Sequence, residues 1–597
     1  MTSPENTRDT AATQDDAGTT AARKTIDDLR SQRWFASDDI RGFAHRQRTQ
    51  QMGMRREEFM GKPVIGIINT WSDVSPCHAH LRDRAQAVKR GVWQAGGYPI
   101  ELPALSVGEV MVKPTTMLYR NFLAMETEEL LRSHPIDGCV LLGGCDKSTP
   151  GLLMGAISMD IPTIFCPAGP MSSGRWRGQV TGAGTHTKTF WNQLQTGAIT
   201  KDDWIDLESR MTRSHGTCNT MGTASTMTSI VDAMGLSPTG ASSVPAADSG
   251  HPRLASWCGE RAVAMVWEDL KPSDILSPAS IRNGLATYMA LGGSTNAAIH
   301  LIAMARRAGL DLSLDDMSAA AGEIPVLANL FPSGGYLMED FHFAGGLPAL
   351  LNKLGAHIDG AARTVEGRSL GAALDGAACH DDDVIRGLDN PVVPLSAGRT
   401  LALLRGNLAP DGAIMKTSAA DPERLNHRGP ALVFEGPADM TARINDPDLD
   451  VTADTVLVLR NSGPVGGPGM PEWGNLPIPV KLLKQGVTDM VRISDGRMSG
   501  THAGTCVLHI SPEAAVGGPL ALLQTGDMVV LDVPGGRIDI DLPEDELARR
   551  RAAWQPPVSA YRRSFTALYQ KHVSQAHEGC DFDFLEGTDP VPEPPIY

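Results

Sequence analysis

The sequence predicts an α/β fold in two parts: a parallel sheet covered by helices, then a strand-rich C-terminal domain for which a barrel is the candidate form. Three observations carry this. From about residue 60, short apolar runs alternate with amphipathic helical segments. Past residue 390 the texture changes to shorter strands, with Pro391 and Pro394 punctuating the junction. Finally, Met528–Val533, Pro534-Gly535-Gly536 and the alternating Ile538, Ile540 and Leu542 spell out a β-hairpin.

Taken in order, Val64-Ile65-Gly66-Ile67-Ile68 is a buried-strand run. The next segment places Leu81, Ala85, Val88 and Val92 on one helical face, and Gly96-Gly97 ends it. Tyr98–Leu102 is the second strand, Met125–Leu131 is helical, and Cys139–Leu142 and Ile161–Phe165 are further strands. Met227, Ile230, Val231 and Met234 mark a helix closed by Gly235, and another covers Ala297–Arg307. In the second part, Thr455–Leu459 and Met490–Ile493 read as strands. The expected division is a disordered polar tail at 1–25, an α/β region at 26–390 and a β-rich region at 391–597. No internal repeat occurs at a fixed period.

Composition narrows the function. At 597 residues the chain is too long for one ordinary core. Hydrophobic residues at 42% and charged residues at 20% are those of a globular protein. A net charge of −16 argues against nucleic-acid binding, which needs a basic face. It does not exclude an anionic substrate, because a bound metal ion can reverse the local field. The first 25 residues are polar and resemble neither a signal peptide nor an anchor, and no run of 18 apolar residues occurs. The expectation is a cytoplasmic protein with no membrane or nucleic-acid partner. The nine Cys include no CxxC pair, so a zinc ribbon or ferredoxin-type loop is unsupported. Any cluster must gather its ligands from distant segments.

Three of the nine Cys sit in turns rather than in apolar runs. Cys77 lies in NTWSDVSPCHAHL and Cys145 in VLLGGCDKSTPG, each between a strand and a helix. Cys218 lies in SHGTCNTMGTAST, just before a helix. Ligands collect at the carboxyl ends of strands in an open α/β sheet, so the first two loops can converge. A helix N-terminus also favours the thiolate. On composition alone, three unrelated buried cysteines is the simpler account. The Lys147-Ser148 pair imitates the end of a phosphate-binding loop, but Asp146 stands where that loop needs Gly and would repel phosphate. Glu472 lies in the Gly/Pro-rich NSGPVGGPGMPEWGN and Ser499 in RISDGRMSGTHAG, both after strands. Either alone could be a surface turn. His78, His80, His215 and His502 lie near these loops without metalloprotease spacing and read as supporting or structural groups.

Together these segments, with GGSTNAAIHL and SVGEVMVKPT, resemble the family of dihydroxy-acid and sugar-acid (aldonate) dehydratases, in the family's order from residue 60 to beyond 510. The resemblance implies an α/β N-terminal region, a β-barrel-like C-terminal domain and a homodimer or homotetramer. It implies that Cys77, Cys145 and Cys218 hold a [2Fe–2S] cluster. It implies that Glu109, Asp146 and Glu472 bind Mg²⁺ or Mn²⁺, with Lys147 carbamylated as a further oxygen ligand, and that Ser499 is the base. The HGTCNTMGTAST form and Met498 before Ser499 are similar to the sugar-acid branch, nearest the pentonate enzymes. Glu109-Val110 and Lys113-Pro114 depart from that branch, which often has Glu-Asn and Arg-Pro there. The implied reaction is dehydration of an aldonate or small 2,3-dihydroxy acid to the 2-keto-3-deoxy acid. The alternatives are the dihydroxy-acid dehydratase of branched-chain amino-acid synthesis and a non-catalytic iron–sulfur sensor.

Overall fold

The computed structural model describes residues 23–589 and 591–596; residues 1–22 of the expected tail lie outside the described residues. The first sheet contains β1 (Val64–Asn69), β2 (Tyr98–Pro103), β3 (Gly138–Gly143) and β4 (Thr163–Pro167) in the order β2-β1-β3-β4. Every pairing is parallel, and β1, β3 and β4 are buried along their whole length. Continuous apolar runs are what a sheet covered on both faces requires.

The crossovers are α1 (Leu81–Gln94), α2 (Thr116–Ser133) and α3 (Ser148–Met159). The predicted face of α1, Leu81, Ala85, Val88 and Val92, is fully buried, and Gly96 at φ 84° turns the chain out of it. Helix α2 starts nine residues before the predicted Met125. Thr115 caps it, its Oγ1 accepting from Met117 N. Then come a two-stranded ribbon, β5 (Gly174–Trp176) with β6 (Gln179–Thr181), and the helices α4 (Thr185–Thr196) and α5 (Lys201–Met211). Helices α6 (Thr223–Ala233), α7 (Gly250–Glu268) and α8 (Asn296–Arg307) are among those that pack in the same layer. Helix α7 crosses α1 so closely that a Cβ on Gly91 would collide with Ser256 O, and one on Gly259 with Val88 O.

The second sheet has eight strands in the order β14-β13-β9-β10-β11-β12-β8-β7. They are β7 (Ala402–Leu404), β8 (Gly412–Met415), β9 (Asn426–Phe434), β10 (Val456–Leu459), β11 (Arg492–Ser494), β12 (Cys506–Ser511), β13 (Met528–Asp532) and β14 (Arg537–Ile540). Arg405 N donates to Gly536 O and Ile538 N to Arg405 O, so the edge beyond β7 meets β14 and the sheet curls into a barrel. The predicted hairpin is β13–β14, with Val529, Leu531, Ile538 and Ile540 turned into the barrel core. Strand β11 begins two residues later than the expected Met490.

The last helix, α9 (Phe565–His572), and the turn after it return to the α/β layer. Arg307 on α8 forms a bidentate pair with Asp581 at 2.7 and 3.0 Å, both side chains fully buried. Arg120 on α2 donates to the carbonyls of Gly579 and Cys580. Among the described residues, no helix is long and apolar enough to cross a membrane.

Candidate active site

Because β1 and β3 are neighbours, the loops leaving their carboxyl ends lie side by side, bringing Cys77 and Cys145 together. Cys145 N donates to His78 Nε2 at 3.1 Å, tying the loops to each other, and Glu109 N donates to Cys145 Sγ at 3.4 Å. The loop before α6 adds Cys218. His215 of that loop stacks on His80 of the first loop, with ring centroids 4.5 Å apart. Neighbouring Cys145, then burial, then Cys218 and Asp146 push the Cys77 thiol well above its usual range. Burial, then Asp146 and Cys145, push Cys218 up as well. As bare thiols Cys77 and Cys218 stay protonated, and thiolates gathered here call for strong positive charge. Three sulfur donors lining one cleft, short of positive charge, suit the chemistry of an iron cluster. The other six cysteines stand elsewhere; Cys139 and Cys166, for example, lie inside strands β3 and β4.

Beside the thiols, four charged side chains converge. Lys147, fully buried at the start of α3, donates from Nζ to Glu109 Oε2 at 3.0 Å, Glu472 Oε1 at 3.1 Å and Asp146 Oδ2 at 3.2 Å. Glu472 reaches in from the Gly/Pro-rich loop after β10, and its Oε1 also accepts from Arg497 Nη1 at 2.8 Å and Asn296 Nδ2 at 2.6 Å. Thr116 Oγ1 bonds to Glu109 Oε2. Burial raises the Asp146 carboxyl to about 6 despite the ammonium beside it, and Glu109 and Glu472 add to the rise. Burial works against the Glu472 carboxylate too, but Lys147 and Arg497 outweigh it and hold its pKa low. Burial and Arg497 act to lower the Lys147 pKa; the three carboxylates outweigh them and hold it above the usual lysine value.

Among the described residues, no three His, Cys, Asp or Glu side chains are disposed to hold one metal ion as they stand. The carboxylates close on the ammonium instead. The donor chemistry nonetheless fits a hard divalent cation, since three carboxylates, Asp146 buried and Glu109 and Glu472 partly so, exceed the charge of Lys147 and Arg497 together. Carbamylation of Lys147 would remove its positive charge and add oxygen donors where the three carboxylates meet.

Ser499 sits on the loop after β11. Its Oγ lies 3.0 Å from Thr501 Oγ1 and accepts from Thr501 N at 3.4 Å. That loop presses on the α/β layer so tightly that a Cβ on Gly500 would collide with Ser294 Oγ and meet Thr223 N at 3.0 Å. Cys77, Cys145, Cys218, Glu109, Asp146 and Ser499 all line one cleft of about 1250 Å³ between the two layers, roofed by α4. Lys147 lies behind the cleft wall, donating to Glu109 and Asp146, which line it, and to Glu472.

The pattern for "Dihydroxy-acid/6-phosphogluconate dehydratase N-terminal" matches residues 62–373, and its C-terminal counterpart matches 383–580. The chain belongs to this dehydratase family. It is 67% identical over 574 residues to the 6-deoxy-6-sulfo-D-gluconate dehydratase of Pseudomonas putida, covering 96% of this chain and 99% of that one. It is 48% identical over 563 residues to the L-arabinonate dehydratase of Rhizobium leguminosarum bv. trifolii, covering 94% and 96%. With the dihydroxy-acid dehydratase of Acetivibrio thermocellus it shares 36% over 550 residues, covering 90% and 96%. The dehydratase is therefore a hydro-lyase of the sugar-acid and dihydroxy-acid class.

Several residues of the dehydratase site escape a reading of the sequence. Arg497 and Asn296 sit inside recognisable segments, but their grip on Glu472 is a tertiary fact. His78 is more than a neighbour, since it holds the Cys145 backbone. Helix α4, with Lys188 facing the cleft, has no local signature at all.

Proposed function

We propose that this dehydratase converts a six-carbon sugar acid with an anionic group at its far end, of the 6-deoxy-6-sulfo-D-gluconate type, into the corresponding 2-keto-3-deoxy acid. The observation that carries the reaction is the convergence of Ser499, the three turn cysteines and the Glu109–Asp146 pair on one cleft. The substrate class rests on the 67% identity, over nearly the whole of both chains, to a dehydratase of that name. This moves the weight from pentonates, nearest in motif form, to a hexonate.

Cys77, Cys145 and Cys218 would hold a [2Fe–2S] cluster, and Glu109, Asp146, Glu472 and carbamylated Lys147 would hold Mg²⁺. When bound, these groups supply Lewis acidity at the substrate carboxylate and 2-hydroxyl and at the departing 3-hydroxyl. Ser499 takes the proton from C2. The Thr501 N–H and hydroxyl stabilise the oxyanion form of Ser499 that this requires. As the C2–H bond breaks, its electron pair forms the C2–C3 double bond and the 3-hydroxyl leaves, taking up a proton to depart as water; return of the proton held by Ser499 supplies it and restores the base. The resulting enol loses its 2-hydroxyl proton, gains a solvent proton at C3 and becomes the ketone. Arg497 and Asn296 fix the Glu472 carboxylate, and His78 fixes the loop of Cys145, so the reacting groups are positioned before substrate arrives.

Anaerobically purified, metal-loaded protein should form a 2-keto acid from 6-deoxy-6-sulfo-D-gluconate with a higher kcat/KM than from L-arabinonate or 2,3-dihydroxyisovalerate. A higher kcat/KM with 2,3-dihydroxyisovalerate would instead place the enzyme in branched-chain amino-acid synthesis.

A further inference from the structure

Helix α4 turns a polar face to the cleft. Thr185, Lys188, Asn192 and Gln195, spaced by three to four residues, all line it. Lys188 is the one cation on that face. It is half-buried, and among the described residues its ammonium has neither a hydrogen-bond acceptor nor a carboxylate within ion-pair distance. The acidic group near it, Asp489, is already taken up by Arg492, Thr505 N and Thr505 Oγ1. Burial, and then Arg492, pull the Lys188 pKa down to about 8. A positive charge held this way in a cleft is short of an anion.

A second donor stands beside it, and its proton can be placed by elimination. Arg492 can only donate, and its Nη1 lies 2.6 Å from Asn475 Oδ1. That fixes the Asn475 amide, whose Nδ2 then donates to His502 Nδ1 at 2.9 Å. With Nδ1 accepting, the neutral His502 ring carries its proton on Nε2. Burial, and then Lys188, keep it neutral by lowering its pKa to about 4. His502 lines the same cleft as Lys188 and feels the charge of both Lys188 and Glu472.

We infer that Lys188, together with the Nε2–H of His502, forms a subsite for a terminal oxyanion on the substrate, a sulfonate or phosphate at the end opposite the carboxylate. The inference rests on the proposed hexonate reading and gives that reading its specificity-determining residue. One pole of the cleft takes the reacting carboxylate and hydroxyls. The other supplies a cation and a fixed N–H donor to a tetrahedral anion, which has three acceptor oxygens to satisfy them. A substrate with a plain hydroxymethyl end would leave the ammonium unpaired.

The test is kcat/KM for 6-deoxy-6-sulfo-D-gluconate, 6-phospho-D-gluconate and D-gluconate with metal-loaded wild type, Lys188→Gln and Lys188→Arg. Cluster absorbance and metal content are checked in each. Wild type should favour a terminally anionic acid over D-gluconate, and the better of the two names the oxyanion. In Lys188→Gln that preference should fall about tenfold to a hundredfold, chiefly through KM, as expected for loss of a charge-assisted contact. Lys188→Arg should keep most of it. A wild-type enzyme with no preference for a terminal anion would overturn the substrate reading and the subsite together. A wild-type preference that survives unchanged in Lys188→Gln would overturn the subsite alone.

Discussion

Ser499→Ala is expected to lose about 10²–10⁴-fold in kcat, the range for removing a general base, while keeping its fold, cluster absorbance and bound divalent cation. Ser499 touches neither the three thiols nor the Lys147 group in any hydrogen bond; its Oγ partners are the hydroxyl and N–H of Thr501. The substitution therefore removes one oxygen from the cleft wall and leaves the ligand residues in place. KM should change little, because the substrate is held by its ends. If Ser499 only shaped the Gly-rich turn, Ala would fit at that position and turnover would stay near normal. Single-turnover kinetics on protein with verified iron and magnesium content separate the two outcomes.

The second large effect is expected at Lys147. In cation-free protein the ammonium is the charge on which Glu109, Asp146 and Glu472 close, and it is fully buried. Lys147→Met leaves three carboxylates facing one another, of which Glu472 alone keeps a guanidinium partner, Arg497. Removing one partner from a buried ionic group costs about 3–5 kcal/mol, since the charges left behind stay desolvated. Denaturant unfolding of chelator-treated protein should show a loss of that order, and added Mg²⁺ should restore part of it but no turnover. A Lys147→Met protein as stable as its parent, with normal activity in Mg²⁺, would show that the lysine serves neither role.

What was legible in the sequence follows a physical divide. Strands β1, β3 and β4 announce themselves because a sheet covered on both faces needs unbroken apolar runs, and α1 because its buried face repeats at helical spacing. Cys77, Cys145, Cys218 and Ser499 each lie in a turn outside the apolar runs, but alone each could be structural; only the long motifs around them, through their resemblance to a family, single them out. The barrel was harder. Its hairpin is a local signal, but the parallel pairing of β9, β10, β11 and β12 is made across long connections. The closing contact joins Arg405 to Gly536 and Ile538, more than 100 positions away in sequence by their own numbering. Lys188 was invisible for a related reason. A lysine on a helix is ordinary until the structure shows that nothing nearby neutralises it. The return of Asp581 to Arg307 is likewise a long-range pairing with no local pattern.

The most direct test of the central claim is turnover of 6-deoxy-6-sulfo-D-gluconate by the metal-loaded protein in deuterium oxide, read by proton and carbon NMR. If Ser499 takes the C2 proton and the C3 hydroxyl leaves, the product carries a ketone at C2 and one solvent deuterium at C3, with the sulfonate carbon untouched. A product that has lost a hydroxyl from another carbon, or no keto acid from this substrate beside rapid turnover of 2,3-dihydroxyisovalerate, would contradict the account.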